Sequence, residues 1–407
     1  MRMQEKSHVF RMCCAIVVLL FLVFGNLRMS YCAEVRGVTD KTVKIGVIGG
    51  VTGPAAEVWV PAAAGLRAYL KMVNKKGGIH GRKIKYIIED DRYSIPLALS
   101  CFKKLVFRDN VFSMLGASGV GHTAAIIPLV EKAKIPLFAG TTEKRFYSPA
   151  RKYIFSPTTW YEDQAKLVID YIFNDMKLKD PTIALVYPDV GSGKDTRDAV
   201  RKLVKIYPVK TYKEVVFTMG GLDFTSEALI LKRVKPDFIF MHGYIADTGA
   251  FVKAAQRFNM QTPVLVTQYG SVNRTVEVSG TAAKTLLGIN SFGTWDDNST
   301  GVDRLRKTSL AYYPNVSRQG PNYFQGWFFG MLFHLGLENA GRDLNEESYL
   351  KGLESVKNFD THGICGVISF GPNDHKSIED NRFFKADIEK KKFIPYTKWR
   401  KPKKYNF

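Results

Sequence analysis

The sequence predicts an α/β protein of two lobes, each built on a parallel sheet. Apolar runs of strand length alternate with segments of helical periodicity, and this alternation restarts after Ser156. Without an amino-terminal leader the chain keeps about 374 residues, more than one core of ordinary size uses. Strands separated by helices form parallel sheets that are covered on both faces and joined by right-handed crossovers.

The first series of elements begins with a buried strand at residues 43–48. A helix follows at residues 61–75, where apolar residues recur on one helical face up to Gly77 and Gly78. The remaining predicted elements are a strand at 83–88, a helix from Ser94 to 107, a strand at 111–115, a helix at 122–133 and a strand at 136–139.

The second series has the same alternation. Its predicted elements are helices at 162–176, 193–206, 224–233 and 246–257 and strands at 182–187, 214–217, 237–241 and 263–266. Long helices at 302–312 and 321–339, with a hairpin formed by 366–370 and 382–388, are expected to complete the two sheets.

The amino-terminal segment has the layout of a secretory signal peptide. The first 11 residues are basic, residues 12–24 are an apolar run too short to span a bilayer, and small residues follow up to Ala33. We therefore expect residues 1–33 to be a signal peptide and the mature chain, from near Ala33 or Glu34, to fold in a periplasm.

Two alternatives to cleavage at this point remain open. Tyr31 is large for a signal-peptidase site, which leaves an uncleaved anchor as one alternative, and acylation of Cys32 in a lipoprotein as a weaker one. Two cysteines remain in the mature chain, Cys101 and Cys365, and we expect both to be unpaired, buried thiols.

The net charge of +21 raises nucleic acid as a partner. The lysines and arginines are nevertheless scattered along helices, with one dense run at residues 398–404 and no accompanying aromatic stacking motif. The charge therefore indicates solvated faces that meet anionic membrane surfaces or ligands, and no nucleic acid is expected.

Enzyme motifs are absent from the sequence. The segment 189–195 resembles a phosphate loop, but Pro188 stands in place of the leading glycine and Asp195 in place of the magnesium-binding hydroxyl residue. The seven histidines are isolated, and no zinc or nucleophile-elbow motif occurs. We expect a non-enzymatic protein without catalytic residues, metal or cofactor.

Three predicted strands end in loops rich in small and hydroxyl residues, at positions 52–56, 116–119 and 140–142. In open parallel sheets ligands bind beyond the carboxyl ends of the strands, and glycine lets the backbone approach them. Free amides and hydroxyls suit a carboxylate or amide oxygen. These loops are therefore candidates for a binding site.

Several segments together resemble the leucine/isoleucine/valine-binding protein family. They are V43KIGVIGGVTGPAA56, N74KKGGIHGRKIKYIIEDD91, L115GAS118, P136LFAGTT142, D237FIFMHGY244 and D360THGICGVISFGPNDH375. The resemblance implies a type I periplasmic binding protein fold of two Rossmann-like lobes, with a three-crossing hinge between the lobes. It also implies a small-molecule ligand and the membrane permease of an ABC importer as partners.

The resemblance places lobe 1 at 34–158 with 292–380 and lobe 2 at 159–291 with 381–407. First-lobe ligand contacts then fall in the loops at 116–119 and 140–142 and near Trp59, and second-lobe contacts near Val190, Tyr244 and Tyr269. The candidate ligand-binding residues are Trp59, Ser118, Gly119, Gly140, Thr141, Thr142, Asp189, Val190, Tyr244 and Tyr269.

The chain departs from the family at the ligand's ammonium group. Amino-acid-binding members place an acid there, whereas this sequence has Gln268-Tyr269, leaving Asp189 and Glu57 as replacement anions. We therefore expect a small carboxylate or amide to bind better than a zwitterionic amino acid. An extracytoplasmic sensor of the same fold is the alternative function, although no signalling domain or membrane helix follows in the sequence.

Overall fold

The computed structural model describes residues 35–405, in which the strands form two sheets. The predicted signal peptide and Cys32 lie outside the described residues. The first sheet has five parallel strands in the order β2-β1-β3-β4-β5. Its strands are β1 (Thr42–Gly49), β2 (Lys83–Asp90), β3 (Ser113–Gly116), β4 (Leu137–Ala139) and β5 (Ile154–Phe155).

The second sheet has seven strands in the order β12-β11-β10-β9-β8-β6-β7. The strands β6 to β10 are parallel, and β11 and β12 form an antiparallel hairpin at one edge. The strands are β6 (Thr182–Pro188), β7 (Thr211–Phe217), β8 (Phe238–Met241), β9 (Val264–Val266), β10 (Leu286–Asn290), β11 (Arg382–Asp387) and β12 (Lys392–Pro395).

Helices cover these sheets, and the predicted alternation in two series is confirmed. They are α1 (Ala56–Lys75), α2 (Ile95–Lys103), α3 (Val120–Ala133), α4 (Tyr161–Asp170), α5 (Gly191–Leu203), α6 (Thr225–Val234), α7 (Ile245–Arg257), α8 (Asn273–Ser279), α9 (Thr300–Tyr312), α10 (Pro321–Ala340) and α11 (Glu346–Glu354). Strand β8 shows why the strands appear as continuous apolar runs in the sequence: both of its faces are buried. Phe238 and Phe240 pack into one core cluster, and Ile239 and Met241 pack into another.

Helix α1 begins at Ala56, five residues before the predicted start, and contains Pro61. Proline cannot donate the backbone hydrogen bond that would reach the carbonyl oxygen of Glu57. The side-chain amide of Asn322, on α10, lies 3.4 Å from that oxygen and donates to it instead. This substitute donor lets the helix continue through the proline, and the extra turn carries Glu57 and Trp59.

The predicted hairpin strand at 366–370 is wrong. That segment makes a single bridge between Phe359 and Ile368, and the partner of β11 is β12. Strand β12 was not predicted, because the few apolar residues of this strand directly follow a run of lysines. The hairpin therefore extends the second sheet only.

Three segments, at residues 156–160, 291–299 and 371–381, join the two sheets. The first and third are paired: the backbone amide of Ser156 donates to His375 (2.8 Å), and that of Ser377 donates to Ser156 (3.0 Å). Between the second and third, the chain returns to the first sheet, where α9 and α10 pack against α1. This is the three-crossing connection of the predicted fold.

The basic run near the carboxyl terminus contacts acids of the protein itself. Arg400 forms a bidentate pair with Asp175, with both distances 2.6 Å, and Lys403 pairs with Asp170. Within residues 35–405, no helix is both long enough and apolar enough to cross a membrane. Cys101 and Cys365 are buried free thiols, as predicted.

Candidate ligand-binding site

A cavity of about 310 Å³ lies where the carboxyl ends of the two sheets face each other. Each of the strands β1 to β4 and β6 to β9 is followed by a loop or first helical turn that contributes to its wall. In parallel α/β sheets this edge is the usual ligand position, because loops and helix amino-termini converge there.

Eight of the ten candidate residues line this cavity, and two do not. The eight are Trp59, Ser118, Gly119, Gly140, Thr141, Thr142, Tyr244 and Tyr269. The side chain of Asp189 is 65% exposed and pairs with Lys194 at 2.8 Å. Val190 occupies the N-cap of α5 and does not line the cavity either. The loop after β6 reaches the cavity through Ser192 instead.

Trp59 is held against the ends of three strands by glycines. A Cβ at Gly49 would lie 2.5 Å from the indole, and one at Gly116 or Gly140 would lie 2.9 Å from it. Only glycine leaves room for the ring at these positions. Trp59 therefore packs on its own sheet and also lines the cavity.

Ser118 presents a hydrogen-bond acceptor to the cavity. Its hydroxyl donates to Oδ1 of the buried Asp91 at 2.6 Å. A hydroxyl has one proton, so only the lone pairs of Ser118 remain for a ligand. The sequence predicted a donor for a carboxylate here, and that expectation is wrong for this hydroxyl.

Tyrosines from the second lobe form an aromatic wall. The rings of Tyr244 and Tyr269 stack with centroids 6.1 Å apart, and Tyr161 meets Tyr269 edge-on at 6.5 Å. Tyr93 contributes a further ring from the first lobe. Burial raises the pKa of Tyr269 to about 12, so its phenol stays neutral. Sequence analysis missed Tyr93, which follows the predicted strand at 83–88, and Tyr161, which follows β5, a strand that was not predicted.

Among the described residues that line this cavity, the charged ones are Glu57, Glu143 and Asp247, and none is lysine, arginine or histidine. Glu57 is exposed at the rim. Asp247 caps its helix, accepting from the amides of Gly220 (2.9 Å) and Tyr244 (3.4 Å). The cavity is thus acidic in a chain of net charge +21.

Glu143 is the acid that sequence analysis missed. Its side chain is 1% exposed, and neither carboxylate oxygen has a hydrogen-bond partner of normal geometry in the described chain. Desolvation, and to a lesser extent the charge of Asp195, raises the pKa of Glu143 to about 8. The nearby Arg145 opposes this shift only weakly. The signal in the sequence was its position directly after the Gly140-Thr141-Thr142 loop.

Comparisons with known proteins identify the family. The family model described as periplasmic binding protein matches residues 42–392. The chain is similar to "Leu/Ile/Val-binding protein homolog 3" of Brucella melitensis, with 23% identity over 346 residues, covering 85% of this chain and 91% of that protein. It is also similar to the Escherichia coli "Leu/Ile/Val-binding protein", with 25% identity over 272 residues, covering 65% of this chain and 69% of that one.

Solved structures share the fold at lower identity. A Thermus thermophilus branched chain amino acid ABC transporter protein with bound valine has a TM-score of 0.81 and 21% identity, covering 89% of this chain and 97% of that one. A fatty acid ABC transporter substrate-binding protein from Thermomonospora curvata has a TM-score of 0.79 and 18% identity, covering 90% and 94%. The chain therefore belongs to the periplasmic binding protein family, with the type I fold, and is a solute-binding protein and not an enzyme.

Proposed function

We propose that this protein delivers a small polar molecule (an amino acid, a carboxylate or an amide) to the permease of an ABC importer by closure of its two lobes. The observation that carries this proposal is the cavity lined by the strand-end loops of both sheets. A ligand held there contacts both lobes at once, so binding favours the closed arrangement. The names of the solved relatives, which include ABC transporter proteins, support the transport role.

The proposed ligand contacts are the eight candidate residues that line the cavity. We also propose that the lobes comprise residues 34–158 with 292–380 and residues 159–291 with 381–407. This division assigns α9 to α11 to the first lobe, where α10 packs on α1, and the β11–β12 hairpin to the second.

A thermal-shift screen of amino acids, aliphatic and aromatic carboxylates, and short amides at equal concentration tests the binding role. The strongest ligand should reduce the radius of gyration in small-angle scattering, because the lobes close around it. Uptake of that ligand, labelled, should fall when the gene is deleted and return on complementation. An unchanged radius of gyration at saturation would contradict lobe closure.

An extracytoplasmic sensor is the alternative function, and the uptake assay separates the two. A sensor binds ligand and closes in the same way, but its deletion leaves uptake intact and alters a ligand-dependent response. Normal uptake in the deletion strain, together with tight binding by the purified protein, would favour the sensor.

We further propose that residues 1–33 direct export to the periplasm and are removed. Amino-terminal sequencing of the exported protein should give a first residue near Ala33 or Glu34. A membrane-bound product that retains Met1 would indicate an uncleaved anchor, and a lipid-modified Cys32 would indicate a lipoprotein.

A further inference from the structure

Glu143 lines the cavity, and no side chain among the described residues forms a hydrogen bond or an ion pair with its carboxylate. Its carboxylate is almost completely buried, and both of its oxygens lack hydrogen bonds of normal geometry in the described chain. An ionised carboxylate in such a place is costly unless a positive charge or several donors neutralise it. The other two acids of the wall do not share this property, since Glu57 is exposed and Asp247 caps a helix.

We propose that the cavity selects a small organic cation, whose positively charged nitrogen lies against Glu143, and that a carboxylate on the ligand is not required. This inference rests on the proposed solute-binding function and changes its ligand class, since it replaces the carboxylate or amide expected from the sequence with an amine or an amino acid. The missing partner of Glu143 is then supplied by the ligand itself.

Two further features of the cavity favour a cation. The hydroxyl of Ser118 donates to Asp91, so it offers an acceptor, which suits an ammonium proton and not a carboxylate oxygen. Tyr161, Tyr244 and Tyr269 line the cavity, and aromatic rings attract a cation through their quadrupoles, most strongly where water is excluded. No basic residue among the described lining residues is available to hold an anion.

Binding of a cation beside Glu143 should displace a proton from its carboxyl group. The pKa of Glu143 is raised to about 8, so its carboxyl group is mostly protonated at pH 7 in the unliganded protein. The neighbouring cation lowers that pKa, and the displaced proton goes to solvent. Binding should therefore release close to one proton at pH 7. Affinity should tighten by up to about tenfold per pH unit from pH 6 to 8 and level off above pH 8.

The charged and titratable groups around Glu143 do not reverse the expected proton release or the expected increase in affinity with pH. Asp195 on α5, whose own pKa is raised by burial to about 6, is ionised at pH 7 and keeps the pKa of Glu143 high. Arg145 lowers it, and the backbone amides of Thr142 and Glu143 act in the same direction. The surrounding tyrosines stay neutral because their pKa values are raised; they are Tyr93, Tyr147, Tyr161, Tyr244 and Tyr269.

Two sets of probes test the effect of the ligand's charge, because the members of each set share an apolar tail and differ in their charged or polar group. One set shares the leucine tail: 3-methylbutylamine, L-leucine, 4-methylpentanoate and 4-methylpentanamide. A second set shares the phenylalanine tail: 2-phenylethylamine, L-phenylalanine, 3-phenylpropanoate and 3-phenylpropanamide. Calorimetry in buffers of different ionisation enthalpy gives affinity and proton release together. In the better-fitting set, the amine and the amino acid should bind at least about tenfold more tightly than the carboxylate and the amide.

The Glu143→Gln variant should bind the amine about tenfold to a hundredfold more weakly, and its binding should release no proton and show no pH dependence between 6 and 8. Asp189→Asn is the matched control, because this exposed acid lies outside the cavity wall, and it should bind like the parent protein. Circular dichroism and the melting temperature of the unliganded variant establish that Glu143→Gln is folded.

Several results would overturn the inference. Binding of L-leucine without binding of 3-methylbutylamine would show that the carboxylate is required. Tight binding of 4-methylpentanoate, without proton release at pH 7 and with proton uptake above pH 8, would show that Glu143 acts as a neutral donor, and the proposed transport function would still stand. Unchanged amine affinity in Glu143→Gln would remove Glu143 from the site. If neither these probes nor the broader screen yields a ligand, the inference and the proposed function fail together.

Discussion

Replacing Gly326 with alanine is expected to destabilise the protein by roughly 3 kcal/mol or more. Gly326 lies in α10, where it crosses α1, and an added Cβ would overlap the backbone carbonyl group of Ala62. Gly65 on α1 makes the reciprocal approach to the carbonyl oxygen of Tyr323. Backbone atoms cannot rotate away as a side chain can, so the two helices would have to separate.

The sign of this effect is informative, because a glycine-to-alanine change inside a helix is otherwise stabilising by up to about 1 kcal/mol. Urea denaturation should show a lower midpoint with a similar slope. Gly320→Ala at the N-cap of the same helix is the control, since nothing lies within 4 Å of its Cβ, and it should cost less than about 1 kcal/mol. An unaltered midpoint for Gly326→Ala would mean that the helices can move apart freely.

Replacing Lys376 with methionine is expected to cost about 3 to 5 kcal/mol, because it leaves the charge of Asp163 buried without its counter-ion. The Lys376 ammonium lies 2.6 Å from Oδ2 of Asp163, and the two side chains are only 7% and 4% exposed. The same ammonium lies 4.4 Å from the centre of the Trp160 ring. All three residues lie at the paired crossings or at the start of α4.

The double variant Lys376→Met/Asp163→Asn should recover part of the loss, since no buried charge then remains unpaired. Lys351→Met is the control: its pair with Glu347 is exposed on both sides, at 72% and 69%, so its loss should leave the denaturant midpoint nearly unchanged. Equal stabilities of the single and double variants would assign the loss to packing and not to charge. The measurement is the denaturant midpoint of the parent protein, the two single variants and the double variant.

Most of the fold could be predicted because parallel strands buried on both faces appear as continuous apolar runs. The bounds of β6 and β8 differ from prediction by one residue at one end. The errors occur where tertiary contacts override local signals. The start of α1 was placed at Pro61, because the sequence could not reveal that Asn322 on a distant helix replaces the lost hydrogen bond. Helix α8 and strands β5 and β10 were not predicted.

All the first-lobe candidates line the cavity, whereas two of the four second-lobe candidates do not. Glycine and hydroxyl residues at strand ends identified the loops at Ser118 and Gly140 as cavity-lining. Asp189, the candidate replacement anion, lies before α5, is exposed beside Lys194 and does not line the cavity. Glu143 was missed because burial without a partner is a property of the folded chain and cannot be read from spacing.

The paired crossings also bear on the thermodynamics of closure. Besides the backbone bonds at Ser156, the side chain of Asn381 donates to Thr159 at 2.9 Å, so two of the three connections form one ribbon. Two linkers that are hydrogen-bonded to each other have fewer independent torsions than two separate linkers. The open state therefore has less conformational entropy to lose when a ligand draws the lobes together. More of the contact free energy then remains as affinity, as in any preorganised receptor.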